Sequence, residues 1–233
     1  MISEAIILAG GFGTRLKNLV DDVPKSMAPI GRIPFINYIF EQLLSFRIER
    51  VVLAVGYKHA GIISFYGNSY KGMQLTYSIE NKPLGTGGAI LEAAKAISSK
   101  FCYVLNGDTY YNIDLEAFEK SFVKTGGVLS VALKPMVNFD RYGSVTTEGE
   151  RIVSFNEKKF CHKGLINGGV YILDKGWLKK NAPGKVFSFE KEILEAYVSR
   201  DYISCFQSDT YFVDIGIPGD YLRASRDLPG LTT

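Results

Sequence analysis

Two acidic residues each follow a short apolar run and precede a glycine-containing turn. Asp108 ends the segment LNGD, and Asp214 follows the apolar residues 211–213. Carboxylate oxygens are the hard ligands that Mg²⁺ prefers, and one or two carboxylates suffice when substrate phosphates and water complete its shell. If both runs are strands of one sheet, the two acids meet at one edge and form a candidate metal site. The alternative is that each acid caps the helix after it.

A glycine-rich segment, LAGGFGTRL, follows the first apolar run of the chain. Its glycines, Gly10, Gly11 and Gly13, permit backbone angles that other residues avoid, so main-chain NH groups can approach phosphate oxygens. The guanidinium of Arg15 would add a planar two-point contact to the same anion. A tight strand–helix turn would explain one glycine but not this combination. The spacing is neither the Walker loop nor GxGxxG, so it indicates a phosphate loop of another kind.

Two further segments supply candidate contacts to a nucleotide. Lys25 follows Pro24, which stiffens its approach, and its ammonium could reach the same phosphates as a point charge; taken alone, it would be a solvated lysine. Glu80 opens the segment ENKPLGTGG. Its carboxylate could accept both the N1–H and N2–H groups of guanine, which would select that base. The alternative for Glu80 is an exposed loop acid.

LAGGFGTRL followed by PKSMAPI resembles the signature of the sugar-phosphate nucleotidyltransferases. The resemblance covers essentially the whole chain, through PLGTGGAI, LNGD, FDRYG and LINGGVY. PLGTGGAI is similar to the corresponding motif of guanylyltransferases, although Gly87 stands where many relatives carry alanine. The pair EK is followed by Lys159, where proline is frequent. The resemblance implies a Rossmann-like, mostly parallel α/β sheet flanked by helices, with antiparallel additions forming a sugar-binding lobe.

The resemblance also implies a role for individual residues. The implied catalytic residues are Arg15, Lys25 and Asp108. The implied nucleotide contacts are Leu8, Gly10, Gly11, Gly13, Thr14, Arg15, Glu80, Gly85, Thr86, Asn106 and Asp108. The implied sugar-phosphate contacts are Gly143, Glu157, Lys158, Asn167 and Gly168. The implied metal ligands for Mg²⁺ are Asp108 and Asp214. Without the resemblance, Glu157 and Lys158 would be a solvated pair, and Asn167 part of a bulge or turn.

The reaction implied by the resemblance is transfer of GMP from GTP to a sugar 1-phosphate, giving a GDP-sugar and pyrophosphate. The expected acceptor is a manno-configured heptose 1-phosphate, which would place the product in bacterial surface polysaccharide assembly. Mannose 1-phosphate, or another nucleotide with a hexose 1-phosphate, is the alternative. A nucleotide-sugar-using glycosyltransferase is disfavoured because Asp108, Thr109, Tyr110 is not an acid–any residue–acid motif. A non-catalytic nucleotide-sugar sensor would not explain why Arg15, Lys25, Asp108 and Asp214 occur together.

Composition limits the remaining classes. The chain has 233 residues, 46% hydrophobic and 22% charged, with a net charge of +3, which is typical of a globular protein without a nucleic-acid surface. Three scattered cysteines and two histidines, His59 and His162, disfavour a disulfide framework, a zinc site and a histidine triad. With no leader or membrane segment predicted, we expect a cytoplasmic protein without a membrane partner, and a homo-oligomer stays open.

These candidate residues must be positioned by an alternating pattern of strands and helices. Apolar runs at 5–9, 51–55, 74–78, 101–105 and 128–133 predict buried strands, and 144–147, 152–155 and 170–173 predict antiparallel ones. Apolar spacing predicts helices over 36–44 and 89–97, another from Ser188 and a last one after Pro218. We expect one nucleotidyltransferase domain, 1–233, with residues 1–134 mainly binding the nucleotide and 135–233 mainly binding the sugar phosphate.

Overall fold

The computed structural model describes residues 1–11, 23–56 and 58–231, and a twisted sheet forms its centre. The strands in these ranges are β1 (Glu4–Leu8), β2 (Pro29–Ile30), β3 (Ile33–Pro34), β4 (Arg50–Val55), β5 (Ser69–Tyr70), β6 (Met73–Ile79), β7 (Phe101–Asn106), β8 (Thr109–Tyr111), β9 (Leu129–Phe139), β10 (Gly143–Glu148), β11 (Arg151–Lys158), β12 (Cys161–Asp174), β13 (Ile203–Gln207) and β14 (Phe212–Asp214). The helices are α1 (Ile36–Ser45), α2 (His59–Tyr66), α3 (Gly85–Ala93), α4 (Leu115–Thr125), α5 (Lys175–Asn181) and α6 (Pro218–Asp227). Short 3₁₀ turns lie at Lys25–Met27, Ala94–Ala96 and Leu228–Gly230, and a π-helical turn lies at Glu190–Glu195.

The main sheet has ten strands in the order β10-β11-β13-β9-β12-β7-β1-β4-β6-β5. Strands β6, β4, β1 and β7 are parallel neighbours, and β13 is parallel to β9. β12 is antiparallel to both of its neighbours, β7 and β9. The expected α/β fold is therefore confirmed. Of the expected antiparallel strands, β12 lies inside the sheet, between β7 and β9.

Apolar side chains cover both faces of the parallel strands, as expected for strands with helices on either side. Along β1, Ile7 belongs to one buried cluster and Ile6 to the other, because successive side chains of a strand point to opposite faces. Helices α1 and α4 pack on the first face, and α3 and α5 on the second. The residues that follow the parallel strands are consequently held at the carboxyl ends of those strands by a rigid core on both faces of the sheet.

The second half of the chain curls part of the sheet into a lobe. β10 pairs with β11 and also with β12, so the strands β10, β11, β13, β9 and β12 return on themselves. The pairing of β12 with β9 shifts register between Asn167 and Tyr171, and Gly169 has φ +72° there. A bulge of this kind bends the strand and redirects its side chains. The lobe thereby faces the carboxyl ends of the parallel strands.

Two of the four predicted helices agree with the structure, α3 begins earlier than predicted, and the helix expected from Ser188 is the π-helical turn Glu190–Glu195. Helices α2, α4 and α5 were not predicted from the apolar spacing. α1 and α6 lie where they were expected, with Pro218 at the start of α6. α3 begins at Gly85, four residues before the predicted start, because the NH groups of Gly87 and Gly88 donate to the carbonyl oxygen of Phe187 at 3.0 and 3.3 Å. A tertiary contact thus holds glycines in a helical first turn. No helix within the described ranges is long and apolar enough to cross a bilayer.

Candidate active site

The pair of strands β8 and β14 brings Asp108 and Asp214 together. Thr109 of β8 stands opposite Asp214 of β14, and the NH of Ile215 donates to the carbonyl oxygen of Asp108 at 3.0 Å. The cap of α4 is Asp114, whose carboxylate accepts from the NH of the third residue of that helix. α6 has no side-chain cap. Neither of the two acids is therefore a helix cap, and both are available for another role.

The ammonium group of Lys25 lies between these two acids. Its Nζ is 2.5 Å from Asp108 Oδ2 and 3.5 Å from Asp214 Oδ1. The Lys25 side chain is only 14% exposed, whereas those of Asp108 and Asp214 are 39% and 28% exposed. Pro24 and the 3₁₀ turn that begins at Lys25 direct this side chain to the edge of the sheet. Three charged groups from distant parts of the sequence thus share one small volume.

Asp214 has an unfavourable environment for a carboxylate unless a cation is present. Burial raises the pKa of Asp214 above its ordinary value, and the negative charge of Asp108 raises it further. Lys25 and the NH of Gly216, which donates to Asp214 Oδ1 at 2.7 Å, act in the opposite direction. Two carboxylates this close favour positive charge between them.

The ends of β1 and β7 approach each other at Gly107. Its NH donates to the carbonyl oxygen of Leu8 at 3.0 Å, and a Cβ at this position would be 2.6 Å from that oxygen. Glycine is therefore required between Asn106 and Asp108 for the two strand ends to close up. As a result, the start of the glycine segment lies beside Asp108, at the edge where open α/β sheets bind ligands.

A cleft of about 310 Å³, here called the first cleft, opens at this edge. Its lining includes Leu8, Ala9, Gly10, Gly11, Lys25, Ser26, Glu80, Pro83, Gly85, Thr86, Ala89, Asn106, Gly107, Asp108 and Glu190. Most of the nucleotide contacts implied by the resemblance are among them. Gly13, Thr14 and Arg15 lie outside the described residues. The first cleft thus joins the glycine segment to the start of α3.

Glu80 is half-buried at the rim of the first cleft and is held by its own loop. Its NH donates to the Val55 carbonyl oxygen at 2.8 Å, and its Oε2 accepts from the NH of Leu84 at 3.0 Å. The second oxygen, Oε1, faces Gly10, where a Cβ would come within 3.3 Å of it. Glu80 is therefore not a loosely solvated loop acid, and its carboxylate has a fixed direction.

A second cleft, of about 480 Å³, lies against the first on the side of the lobe. Its lining is Asn106, Thr109, Arg141, Tyr142, Gly143, Lys158, Asn167, Gly168, Gly169, Tyr171, Glu190, Phe212, Asp214, Gly216 and Ile217. It contains Gly143, Lys158, Asn167 and Gly168, four of the five sugar-phosphate contacts implied by the resemblance. The fifth, Glu157, is exposed and is absent from this lining.

The bulge in β12 fixes Asn167 in the second cleft. Its Oδ1 accepts from the NH of Gly169 at 2.9 Å, and its Nδ2 donates to the hydroxyl of Tyr171 at 2.9 Å. Tyr171 is buried, and burial raises the pKa of its phenol. The amide of Asn167 is thereby held by a neutral, water-excluded partner, which fixes its orientation at the wall of the cleft.

Glu190 lies in the segment predicted as a helix from Ser188 and was not among the predicted site residues. It lines both clefts, and its Oε2 accepts from the hydroxyls of Thr86 at 2.6 Å and Ser188 at 3.0 Å. The hydroxyl of Thr86 in turn accepts from the NH of Phe189 at 2.9 Å. The available signal was the acid-rich FEKE segment, which forms a π-helical turn, a feature frequent at functional sites.

Arg141 closes the outer end of the second cleft. Its guanidinium donates to Asp220 of α6 and lies over the ring of Tyr142, with 5.3 Å between Cζ and the ring centroid. Asp220 also forms an ion pair with Arg223 at 3.2 Å. The last helix thus holds the loop between β9 and β10 against the cleft.

A glycine segment at the ends of parallel strands, with two acids where two clefts meet, is typical of enzymes that bind nucleotides. The chain belongs to the family described as "Nucleotidyl transferase", whose model matches residues 4–230. Two relatives carry the name D-glycero-alpha-D-manno-heptose 1-phosphate guanylyltransferase. The protein from Aneurinibacillus thermoaerophilus is 44% identical, over 97% of this chain and 98% of its own. That from Campylobacter jejuni is 46% identical, over 94% of this chain and 96% of its own.

Among solved structures, HddC from Yersinia pseudotuberculosis complexed with GMP-PN is similar over 97% of this chain and 100% of that one, with a TM-score of 0.86 and 35% identity. Mannose-1-phosphate guanylyltransferases are also similar, at identities of 30% to 34%. The chain spans 62% to 64% of the length of those proteins. The family, fold and enzyme class expected from the motifs are therefore confirmed.

Proposed function

We propose that this protein transfers GMP from GTP to D-glycero-α-D-manno-heptose 1-phosphate, giving GDP-heptose and pyrophosphate. The observation that carries the proposal is the 44% and 46% identity, over nearly the full length of both chains, to guanylyltransferases with this acceptor in their names. The two adjoining clefts support it, because the reaction must hold two anionic substrates side by side. We assign the nucleotide mainly to residues 1–134 and the sugar phosphate mainly to 135–233.

GTP is assigned to the first cleft. Backbone NH groups of the glycine segment and the side chain of Arg15 would bind the triphosphate. Glu80, with its carboxylate directed by the Leu84 NH, would accept the N1–H and N2–H groups of guanine. Gly85 and Thr86 would border the base and ribose. This arrangement accounts for both glycine-rich segments of the sequence.

The sugar 1-phosphate is assigned to the second cleft. Lys158 would bind its phosphate, and the main-chain NH of Gly143 and the amide of Asn167 would bind hydroxyl groups. Glu190, which borders both clefts, would accept a hydrogen bond from the sugar. The phosphate end of the acceptor would then lie toward Lys25 and Asp108, where the clefts meet.

The acids and Lys25 fit a divalent cation such as Mg²⁺. An ammonium already stands between the two carboxylates, and Mg²⁺ needs only one or two carboxylates when phosphates complete its shell. In the described part of the chain, no histidine, cysteine or further acidic residue joins Asp108 and Asp214 to make a third ligand. Asp108 and Asp214 would hold the ion, which when bound neutralises phosphate charge. Lys25 would then turn to the reacting phosphates.

Catalysis on this proposal is positioning and charge neutralisation. A phosphate oxygen of the acceptor forms a bond to the α-phosphorus of GTP, and the bond from that phosphorus to the bridging oxygen of pyrophosphate breaks. The leaving pyrophosphate takes the electron pair. The attacking oxygen is already ionised, so no side chain has to remove a proton. Lys25, Arg15 and Lys158 stabilise the negative charge that two anions bring together.

The test is pyrophosphate release with GTP, ATP, UTP, CTP and dTTP, each paired with heptose, mannose and glucose 1-phosphates. We expect the highest kcat/KM for GTP with the manno-configured heptose 1-phosphate. The Lys25→Ala variant serves as the blank for contaminating activity. A higher kcat/KM for mannose 1-phosphate would favour the second candidate, mannose-1-phosphate guanylyltransferase, which the 30% to 34% identical relatives support. A preference for another nucleotide would contradict the proposal.

We also propose that the reaction takes place in the cytoplasm, where GTP is made, and that the GDP-sugar supplies bacterial surface polysaccharide. The three cysteines are free, as is usual for proteins of a reducing compartment. Fractionation of cells with an antibody to the protein tests the first point. Loss of heptose from the surface polysaccharide of a deletion strain tests the second.

A further inference from the structure

A cavity of about 630 Å³ lies on the face of α3 that turns away from the first cleft. We call it the lysine cavity. It is lined by Leu84, Gly88, Leu91, Glu92, Ala94, Lys95, Lys175, Gly176, Lys179 and Lys185. The first cleft uses Gly85, Thr86 and Ala89 of the same helix, and residues three and four apart share a helix face. The two hollows are therefore separate, and none of the residues assigned above to GTP or the sugar phosphate lines the lysine cavity.

The charge of the lysine cavity is strongly positive. Four lysines face one acid, Glu92, and its carboxylate is bound by Lys95 at 2.5 Å. The ammonium of Lys175 donates to main-chain carbonyl oxygens, one of them Ser98 at 3.1 Å. Lys179 and Lys185 form no ion pair with any residue in the described ranges. Their ammonium groups are thus available for an external anion.

The remaining wall is apolar. Leu84 and Leu91 project from the start and middle of α3, and Ala94 follows its end. The methylene stems of the lysines extend this surface while their charged ends reach solvent. A volume of this size is within the range of small-molecule sites, which combine apolar walls with a few polar groups. Apolar side chains beside unpaired ammonium groups are complementary to a ligand with an aromatic or aliphatic body and an anionic group.

We propose that the lysine cavity is a second ligand site, which binds a small organic anion with an apolar body. The cavity is bounded by α3, α5 and Lys185, which suits a small molecule better than a nucleic acid or a bilayer. The acids Asp108 and Asp214 do not line it, so the anion is held by ammonium groups without a shared metal. Lys179 and Lys185 are the residues that provide its charge.

The test is a fluorescence titration with 8-anilinonaphthalene-1-sulfonate, an aromatic sulfonate, on the full chain with and without saturating GTP. We expect one saturable site that persists in the presence of GTP. The double variant Lys179→Glu/Lys185→Glu should raise the dissociation constant of the sulfonate at least about tenfold, because two attractive charges become repulsive. Lys180→Glu is the matched control, since it is exposed on the same helix but does not line the cavity.

Three results would overturn the proposal. The first is complete displacement of the sulfonate by GTP, which would place it in the first cleft. The second is unchanged affinity in the double variant, with an unchanged melting temperature showing that the variant is folded. The third is no binding by the wild type, together with a change from dimer to monomer in the double variant by light scattering. That result would assign the face to a second copy of the chain.

Discussion

Lys25 contacts an acid from each half of the chain. Its pairing with Asp108 and Asp214 spans 83 and 189 residues of sequence. The sequence predicted that each of the three is functional, but it predicted the lysine at the phosphates and the acids at a metal. In the structure the ammonium of Lys25 instead pairs with both acids, at 2.5 Å from Asp108 and 3.5 Å from Asp214.

Glu80 is the residue on which guanine selection depends in this proposal. Glu80→Gln should lower the ratio of kcat/KM for GTP to that for ATP roughly 10- to 100-fold, because an amide has one acceptor oxygen where guanine presents two donors. The measurement is steady-state kinetics with both nucleotides. The Leu84 NH can still donate to the glutamine oxygen, so the loop should keep its structure.

Glu195→Gln is the matched control for Glu80, because it removes the same charge from an exposed position outside both clefts. Its nucleotide preference should equal that of the wild type. An unaltered GTP to ATP ratio in Glu80→Gln, with normal folding, would place guanine selection elsewhere.

The start of α3 shows what local sequence could not predict. Glycine is a poor helix former, so the PLGTGGAI segment predicted a loop before Ala89. The contact that decides the helix start comes from a hundred residues away in the chain, at Phe187. The ring of the same residue, Phe187, leaves no room for a side chain at position 87. A Cβ at Gly87 would be 2.2 Å from the ring atom Cε2 of Phe187, so the ring fills the space of an alanine methyl group.

Gly87→Ala should therefore destabilise the protein and weaken GTP binding. The added methyl group must displace a buried ring, an overpacking that typically costs about 1–3 kcal/mol. Urea denaturation measures the free energy of unfolding, and initial rates measure KM for GTP. Gly87→Ala/Phe187→Leu should recover much of both losses, because the smaller side chain makes room. Failure of Phe187→Leu to restore stability would contradict this explanation.

Glu4 joins the beginnings of β1 and β4 to the turn before β7. Its carboxylate accepts from the NH groups of Ser98, at 3.0 Å, and Ser99, at 2.6 Å, and pairs with Arg50 at 3.4 Å. Burial alone would raise the pKa of Glu4. The NH groups of Ser99 and Ser98 and the charge of Arg50 outweigh it and hold the pKa below its ordinary value.

Glu4→Gln should lower the free energy of unfolding by about 1.5–3 kcal/mol at pH 7, because it removes a charged hydrogen-bond acceptor. The folded-state pKa lies below the unfolded value, so the stabilisation is complete above the unfolded pKa. It is lost as the pH falls through the folded one. Urea denaturation of both proteins between pH 7 and pH 3 measures the difference between their free energies of unfolding, which should decrease as the pH falls. Glu148→Gln, on the exposed side of β10, should have the same free energy of unfolding as the wild type. A difference for Glu4→Gln that is constant with pH would refute the assignment to charge.

At the scale of the whole molecule, the apolar runs were sufficient to predict the parallel strands and the end of the sheet where the two clefts lie. They predicted β1, β4, β6 and β7 to within one or two residues. The pairing of β8 with β14 was not predicted, because three-residue strands far apart in sequence carry no periodic signal. The place of β12 inside the sheet was missed for a related reason: strand order depends on long-range pairing, which alternation along one segment does not encode.

On the proposed assignment, that topology makes the metal site from residues of both halves of the chain. Asp108 follows β7 in the first half, and Asp214 ends β14 close to the last helix. We expect Asp108→Asn and Asp214→Asn each to raise the Mg²⁺ concentration for half-maximal activity at least about tenfold, because each removes one of the two carboxylates assigned to the ion. Asp209→Asn, whose carboxylate pairs with Lys134 outside both clefts, is the control and should leave the titration unchanged.

The double variant Asp108→Asn/Asp214→Asn distinguishes one shared ion from two independent effects. If both carboxylates hold the same ion, the first substitution already removes most of the site, and the second should add much less than its effect in the wild type. Two independent effects would instead multiply. Because Lys25 loses an acidic partner in each variant, the melting temperature without Mg²⁺ must be measured alongside. Multiplying effects on the Mg²⁺ titration, with all variants folded, would show that the two halves do not share a metal, and the proposed junction of the clefts would fail.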